Sequence, residues 1–208
     1  LTDNWHYLGV SHYSFLQYGL LATWNFSIVI PGVFETAELL SAFGVIRRFR
    51  HGPKLRLPGP TLVAISAFGV LMMPSMALWP RFVFPVAWMS LFLIVDPVNL
   101  ALGRPSIASD LRRGDWGNVA ALALGALVCG WFWEMWNFRA LPKWEYTIPY
   151  LGFARVFEMP VLGYLGYLPF GLEVYAGYHF LAGWFNRLGT TSILVIEQPA
   201  GEPANRAT

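Results

Sequence analysis

The stretch from Cys129 to Trp184 reads CGWFWEMWNFRALPKWEYTIPYLGFARVFEMPVLGYLGYLPFGLEVYAGYHFLAGW. It places four glutamates among aromatic residues, glycines and a background as apolar as lipid. These glutamates are Glu134, Glu145, Glu158 and Glu173. A carboxylate near the middle of a bilayer costs roughly 2.5 kcal/mol or more on insertion scales. Each of them therefore needs a partner side chain, a protein interface, a ligand or a proton.

The composition of the whole chain is typical of a multi-span membrane protein. Its 208 residues are 56% hydrophobic and only 12% charged, whereas soluble domains carry about 25% charged residues. The single cysteine, Cys129, excludes a disulfide within this sequence and any site built from several cysteines. No zinc spacing, phosphate loop or nucleic-acid motif is present, so we expect neither a metal site nor a nucleic-acid partner.

Five apolar segments predict an all-α, polytopic protein with about five transmembrane helices. Each segment is close to the ~20 residues that cross a ~30 Å hydrocarbon core. The predicted spans are 11–30, 61–79, 82–102, 117–137 and 161–183, within one domain over 1–195 that a polar tail at 196–208 follows.

Two further segments are predicted to lie on the membrane surface. Pro31-Gly32 is expected to end the first span, and 33–50 then begins with glutamates and ends with arginines, as suits the dipole of an amphipathic helix. Residues 138–160 are too polar to span, and we expect Trp144 and Tyr146 to lie in the aromatic belt.

The distribution of basic residues predicts the orientation. With the N-terminus outside, the segments inside hold Arg47, Arg48, Arg50, Lys54, Arg56, Arg104, Arg112, Arg113, Arg187 and Arg206. The segments outside hold only Arg81, Arg139, Lys143 and Arg155. The positive-inside rule therefore favours a periplasmic N-terminus and a cytoplasmic C-terminus.

The first basic cluster has two interpretations. Arg47, Arg48, Arg50, Lys54 and Arg56 follow the predicted surface helix closely. Such a run attracts anionic lipid by about 1 kcal/mol per charge. It also serves as a topology signal, which needs no bound lipid.

Glu134 and Glu158 form a candidate acid/base pair. Both stand between an aromatic residue and a methionine, at the end of one span and just before the next. Two carboxylates in one shallow cavity would couple and could exchange protons with a substrate. The alternative is ion pairing, of Glu134 with Arg139 and of Glu158 with Arg155.

Other features of the last predicted span suggest a ligand or a proton path. His179 is open to three interpretations: a hydrogen-bonded core histidine, an axial ligand to a tetrapyrrole, or a partner of Glu173 in a proton relay. Glycines are interleaved there with tyrosines. This pattern is typical of close helix packing, and it also fits a flat ligand such as a carotenoid, a chlorophyll-type pigment or a quinone. The candidate cofactor contacts are His179, Tyr175, Tyr167 and Trp133.

Asp96 precedes Pro97 near the far end of the third predicted span. Proline removes a backbone donor and bends a helix. We therefore expect Asp96 to cap a short final helix there, and not to carry protons.

The motifs WEMWN, PKW and FEMPVLGYLGYLPFGLEVY, followed by a histidine, cover about residues 131–181. This stretch resembles a family of bacterial multi-span membrane proteins that has no established activity. The resemblance implies a bacterial membrane protein and nothing about chemistry. The residues that carry it are Trp133, Glu134, Trp136, Asn137, Pro142, Trp144, Phe157, Glu158, Pro160, Gly163, Tyr164, Gly166, Tyr167, Pro169, Glu173, Tyr175 and His179.

The sequence contains no complete catalytic constellation. It favours a non-catalytic accessory subunit of a larger membrane assembly, such as a photosynthetic or other energy-converting pigment complex, with other membrane subunits and anionic lipids as partners. One alternative is an enzyme that acts on a lipid or isoprenoid through Glu134 and Glu158. Another is a small proton-coupled transporter that uses Glu173 and His179.

Overall fold

Seven α-helices account for most of the chain that the computed structural model describes, which is residues 4–79, 82, 86–149 and 152–185. They are α1 Phe15–Ser27, α2 Val29–Ala42, α3 Gly59–Leu78, α4 Val86–Ala101, α5 Ile107–Arg113, α6 Gly117–Phe138 and α7 Tyr167–Trp184. The predicted polar tail at 196–208 lies outside the described residues.

Two short pairs of antiparallel strands accompany the helices. Strand β1 (Trp5–Leu8) pairs with β2 (Lys143–Tyr146), with Trp5 opposite Tyr146. Strand β3 (Arg155–Val156) pairs with β4 (Met159–Pro160). The chain is thus mainly α-helical as predicted, but the all-α description missed these strands. We call β1 to β4 and the 3-10 helix Val161–Gly166 the cap.

The helix predicted at 33–50 has different bounds in the structure. Helix α2 begins at Val29, includes Pro31-Gly32 in its first turn and buries Val33, Phe34 and Ala37. Proline is tolerated in a first turn because its missing N–H would have no partner within the helix. Helices α1 and α2 consequently form one apolar stretch of 28 residues, Phe15–Ala42.

Three helical stretches of the described chain are long and apolar enough to cross a membrane. They are Phe15–Ala42, Gly59–Leu78 and Gly117–Phe138, and a shorter apolar helix covers Met89–Ala101. Their exposed faces carry large hydrophobic side chains, and this composition fits an integral membrane protein. The predicted spans 82–102 and 161–183 correspond to α4 and α7. Helix α7 begins only at Tyr167, since the residues before it, Val161–Gly166, form a 3-10 helix.

Helix α7 occupies the middle of the helix packing. It contacts α6 on one side and α4 on the other; α2 packs on α6, and α3 packs on α4. Glycines permit the closest approaches. A Cβ at Gly171 of α7 would lie 2.3 Å from the backbone oxygen of Leu122 in α6, and a Cβ at Gly125 would lie 3.0 Å from the nitrogen of Ala37 in α2. Small residues of this kind are typical of membrane helix interfaces.

The two ends of the helix packing differ in character. The cap lies where α6 ends and α7 begins, and β1 joins it from the N-terminal region. At the opposite end, the loop around Gly52 is held against the residues that connect α5 to α6. The amide of Gly52 donates to the oxygen of Gly114 at 2.8 Å, and the amide of Trp116 donates to the oxygen of Phe49 at 2.9 Å.

Candidate functional site

Glu134 is the most enclosed carboxylate in the described chain. It lies near the end of α6 and is 0% exposed. Its Oε1 accepts hydrogen bonds from the hydroxyls of Tyr146 at 2.8 Å and Tyr167 at 2.9 Å, and from the indole N–H of Trp144 at 3.3 Å. One carboxylate oxygen thus ties together α6, β2 of the cap and α7.

Asn137 fixes β2 in the position that makes this arrangement possible. Its Nδ2 donates to the backbone oxygen of Trp144, and its Oδ1 accepts from the backbone N–H of the same residue, both at 2.8 Å. Asn137 follows Glu134 by three residues and lies on the same side of α6. Helix α6 therefore holds Trp144 at two places: Asn137 binds its backbone, and Glu134 accepts its indole N–H.

The second carboxylate oxygen of Glu134, Oε2, is buried and has no hydrogen-bond partner within the described chain. Aromatic rings surround this region. The ring of Tyr167 lies 6.1 Å from that of Trp133, 6.3 Å from that of Phe170 and 6.1 Å from that of Tyr164. Two of the candidate cofactor contacts, Trp133 and Tyr167, therefore pack on each other beside a buried carboxylate.

The predicted ion pairs of the two glutamates are wrong. Glu158 pairs with Lys143 at 2.7 Å, and Lys143 also contacts Glu145 at 3.0 Å. Arg155 instead donates to the backbone oxygen of Tyr146 at 3.1 Å. Arg139, the expected partner of Glu134, is exposed at the end of α6. An exposed guanidinium keeps its water, whereas the hydroxyls already enclosed with Glu134 need an acceptor.

The electrostatics of the cap follow from these contacts. The hydrogen bonds that Lys143 donates to Glu158 and Glu145 raise its pKa above the ordinary value of 10.5. Burial raises the pKa of the Tyr146 hydroxyl, and the nearby Tyr167 and Glu134 raise it further. Tyr146 therefore stays a neutral donor to Glu134, and it is not a residue of the aromatic belt as predicted.

A second set of polar residues lies on the neighbouring helices α4 and α7, and we call it the seam. Asn99 of α4 is fully buried, and its Nδ2 donates to the backbone oxygen of Ala176 in α7 at 2.8 Å. Glu173 precedes Ala176 by three residues and His179 follows it by three. At 100° per residue, both lie about 60° from Ala176, one on each side of it. Asn99, Glu173 and His179 therefore make up the seam.

Each residue of the seam carries a buried atom with no hydrogen-bond partner in the described part of the chain. These atoms are Oδ1 of Asn99, Oε2 of Glu173 and Nε2 of His179. The ring of His179 also packs against Tyr175, with centroids 4.4 Å apart, and against Tyr178 at 5.3 Å. Two tyrosine rings of α7 therefore pack directly on the imidazole of His179.

Asp96 is a helix cap, although not of the helix that was predicted. Helix α4 continues through Pro97 to Ala101. The carboxylate of Asp96 instead accepts the first amides of α5, from Ile107 at 2.7 Å and from Ala108 at 2.8 Å. Anionic groups suit this position because the first amides of a helix lack partners within it.

Sequence reasoning missed several members of these sites. The sequence predicts Trp144 and Tyr146 at the membrane interface, and it gives neither Asn99 nor Asn137 a role in a site. The available signal was an asparagine in each of two apolar helices, because amide side chains in such helices commonly bond across helix interfaces. Among the described residues, no group of three or more His, Cys, Asp or Glu side chains is arranged to hold a metal ion.

The fold and its apolar helices fit the class of helical integral membrane proteins. No family model, curated protein or solved structure matches the chain. The resemblance of residues 131–181 to a bacterial membrane-protein family therefore stays a prediction.

Proposed function

We propose that this protein is a multi-span membrane protein that relays protons through the seam between α4 and α7. The observation that carries the proposal is that Asn99, Glu173 and His179, on two helices that pack together, each hold a buried polar atom with no hydrogen-bond partner among the described residues. Ionisable side chains inside membrane spans are costly, and they commonly mark ion paths or proton relays.

The chemistry of the three side chains suits this role. A carboxyl group and an imidazole can each bind and release a proton, and an amide can orient a bridging water without titrating. Glu173 and His179 are six residues apart, which corresponds to a rise of ~9 Å along a helix. They also lie ~120° apart around α7, so a chain of several waters would be needed to join them, and unsatisfied buried polar atoms are the usual partners of buried water.

Polar groups also lie beyond both ends of the seam. Toward the cap, Tyr167 precedes Glu173 by six residues and donates to Glu134. Toward the other end, Arg104 donates to the backbone oxygen of Phe180 at 2.8 Å. A series of polar groups therefore follows α7 from Glu134 to Arg104. The proposed path runs along this series.

The proposed setting is a bacterial membrane crossed five times. Stretch Phe15–Ala42 and helices α3, α4, α6 and α7 are the crossing segments, with the cap in the periplasm and the arginine-rich end in the cytoplasm. The excess of basic residues at the end opposite the cap supports this orientation.

A second candidate is the non-catalytic accessory subunit that the sequence favoured. Ala64 and Ala67 of α3 are exposed on a helix whose described contacts are mainly with α4. Such small residues allow another helix to approach closely, so other membrane subunits are the proposed partners. A carotenoid, a chlorophyll-type pigment or a quinone would bind as a flat ligand at such a contact.

The lipid or isoprenoid enzyme is less well supported, because Glu134 and Glu158 are each bound by their own partners.

Proton flux into liposomes tests the proton relay. The purified chain is reconstituted with a pH-sensitive dye inside and a potassium gradient with valinomycin outside. We expect flux above that of empty liposomes and its loss in Glu173→Gln and His179→Gln. Glu35→Gln, at an exposed position of α2, is the matched control and should keep the flux. Flux equal to that of empty liposomes, or unchanged in both seam variants, rejects the relay.

Isolation from native membrane in mild detergent tests the second candidate. A subunit of a larger assembly would be recovered with other membrane proteins, and a pigment would be visible in the absorption spectrum. A chain that is monomeric, colourless and alone would reject it.

A further inference from the structure

A basic surface lies at the end opposite the cap, and the structure builds it from two separate parts of the sequence. The first part was predicted from its charge and contains Arg47, Arg48, Arg50, Lys54 and Arg56. The second part is the end of α5, with Arg112 and Arg113. We call these seven residues together the basic platform.

Backbone hydrogen bonds fix the two parts against each other. The amide of Leu55 donates to the oxygen of Leu111 at 2.9 Å, and the amide of Gly52 donates to that of Gly114 at 2.8 Å. The indole N–H of Trp116 donates to the oxygen of Pro53 at 3.0 Å. The cations are therefore carried by an ordered surface and not by a loose tail.

The nearest acidic groups are already engaged. Asp110 is bound by Arg113 and by the side chain of Asn118. Asp115 accepts the amide of Gly117 at 2.8 Å, at the beginning of α6. Among the cations, Arg47, Arg48, Lys54, Arg56 and Arg112 are exposed. The platform thus presents a strong excess of positive charge to its surroundings.

Exposed apolar side chains accompany this charge. Phe43 is 70% exposed and Phe49 is 46% exposed, the latter between Arg48 and Arg50. On the same platform, a shallow and open groove is lined by Leu55, Leu57 and Pro58 together with Arg56 and Arg112. Cations next to exposed rings and an apolar groove suit a ligand with a charged head and a hydrocarbon body.

We propose that the basic platform binds the phosphate headgroups of anionic phospholipids, with Arg56 and Arg112 at the groove and Arg47, Arg48 and Lys54 around it. Arginine and lysine bind phosphate oxygens through charge-assisted hydrogen bonds. The apolar rings and groove would contact the acyl chains. This inference needs the membrane setting but not the proton relay, so the two can fail separately.

Native mass spectrometry of the full chain tests the proposal. The protein is purified in mild detergent with equal amounts of phosphatidylglycerol and phosphatidylcholine, and the bound lipids are counted. We expect phosphatidylglycerol to be retained preferentially. Removal of one platform charge in Arg56→Gln should lower this preference about five-fold, the effect of about 1 kcal/mol per basic residue.

Arg139→Gln is the matched control, because Arg139 is an exposed arginine at the other end of α6. It should leave the preference unchanged. Equal retention of the two lipids, or equal effects of the two variants, overturns the proposal and leaves the charges as a topology signal. Displacement of the lipid by millimolar inorganic phosphate would also overturn it, because it would identify a site for the free anion.

Discussion

The hydroxyl of Tyr146 donates a hydrogen bond to Oε1 of Glu134 across 2.8 Å, inside a region where Glu134 is fully enclosed. The two residues are 12 positions apart, with the end of α6 and the turn before β2 between them. Tyr167 donates to the same oxygen from α7. One carboxylate therefore joins the cap to both α6 and α7, beside the two hydrogen bonds between Asn137 and Trp144.

We expect Tyr146→Phe to lower the free energy of unfolding by about 1–2 kcal/mol, because one buried hydrogen bond is lost. Glu134→Leu should cost more, because it leaves the hydroxyls of Tyr146 and Tyr167 without their acceptor. Thermal unfolding in detergent measures both. Tyr164→Phe is the control, since that hydroxyl bonds the oxygen of Val156 in an exposed setting. Equal effects of Glu134→Leu and Tyr164→Phe would contradict this role of Glu134.

The sequence predicted that Glu134 needs a partner, and it predicted the wrong one. Pairing by proximity along the chain chose Arg139, five residues away, whereas the observed donors are 10, 12 and 33 residues away. Whether residues so far apart in the sequence meet depends on how α6, α7 and the cap pack. The apolar helices could be predicted because their signal is local composition, and the seam could be predicted only in part because Asn99 belongs to another helix.

The limits of the helices show the same difference between local and tertiary signals. The sequence predicts that Pro31-Gly32 ends a span, but a proline in the first turn of α2 costs no hydrogen bond. Strand β1 has only four residues, and its partner β2 lies some 140 positions further on. No periodicity over four residues can predict such a pairing.

The carboxylate of Asp96 at the beginning of α5 gives a prediction with a graded outcome. Asp96 accepts the amides of Ile107 and Ala108 with its two oxygens. Asp96→Asn keeps one acceptor, whereas Asp96→Ala keeps neither. We expect the alanine variant to lose about 1–3 kcal/mol, because two buried amides lose their acceptor, and the asparagine variant to lose less. Hydrogen exchange at the amides of Ile107 and Ala108 should be faster in Asp96→Asn than in the unmodified chain, and faster still in Asp96→Ala. Equal exchange in the two variants would contradict this role of Asp96.

The contact between α6 and α7 gives a prediction with a matched control on the same helix. A Cβ at Gly171 would lie 2.3 Å from the oxygen of Leu122, so Gly171→Ala must push the two helices apart. At Gly177 a Cβ would meet nothing within 4 Å in the described chain. We expect Gly171→Ala to lower the unfolding temperature clearly. Gly177→Ala should leave it unchanged or raise it, since alanine favours a helix by about 1 kcal/mol over glycine. Equal behaviour of the two variants would refute this close packing.

The ion pairs of Lys143 predict how stability depends on alkaline pH. Glu158 and Glu145 raise the pKa of Lys143 above 10.5 in the folded chain. Its contribution to stability is therefore fully present below pH 10.5 and is lost as the pH rises through the higher folded value. Unfolding temperatures measured from pH 8 to pH 12 should fall less steeply above pH 10.5 in Lys143→Gln than in the unmodified chain. Glu158→Gln removes the partner that contributes most to the shift, so it should also reduce the slope. Parallel curves for all three proteins would show that the folded pKa of Lys143 is not raised.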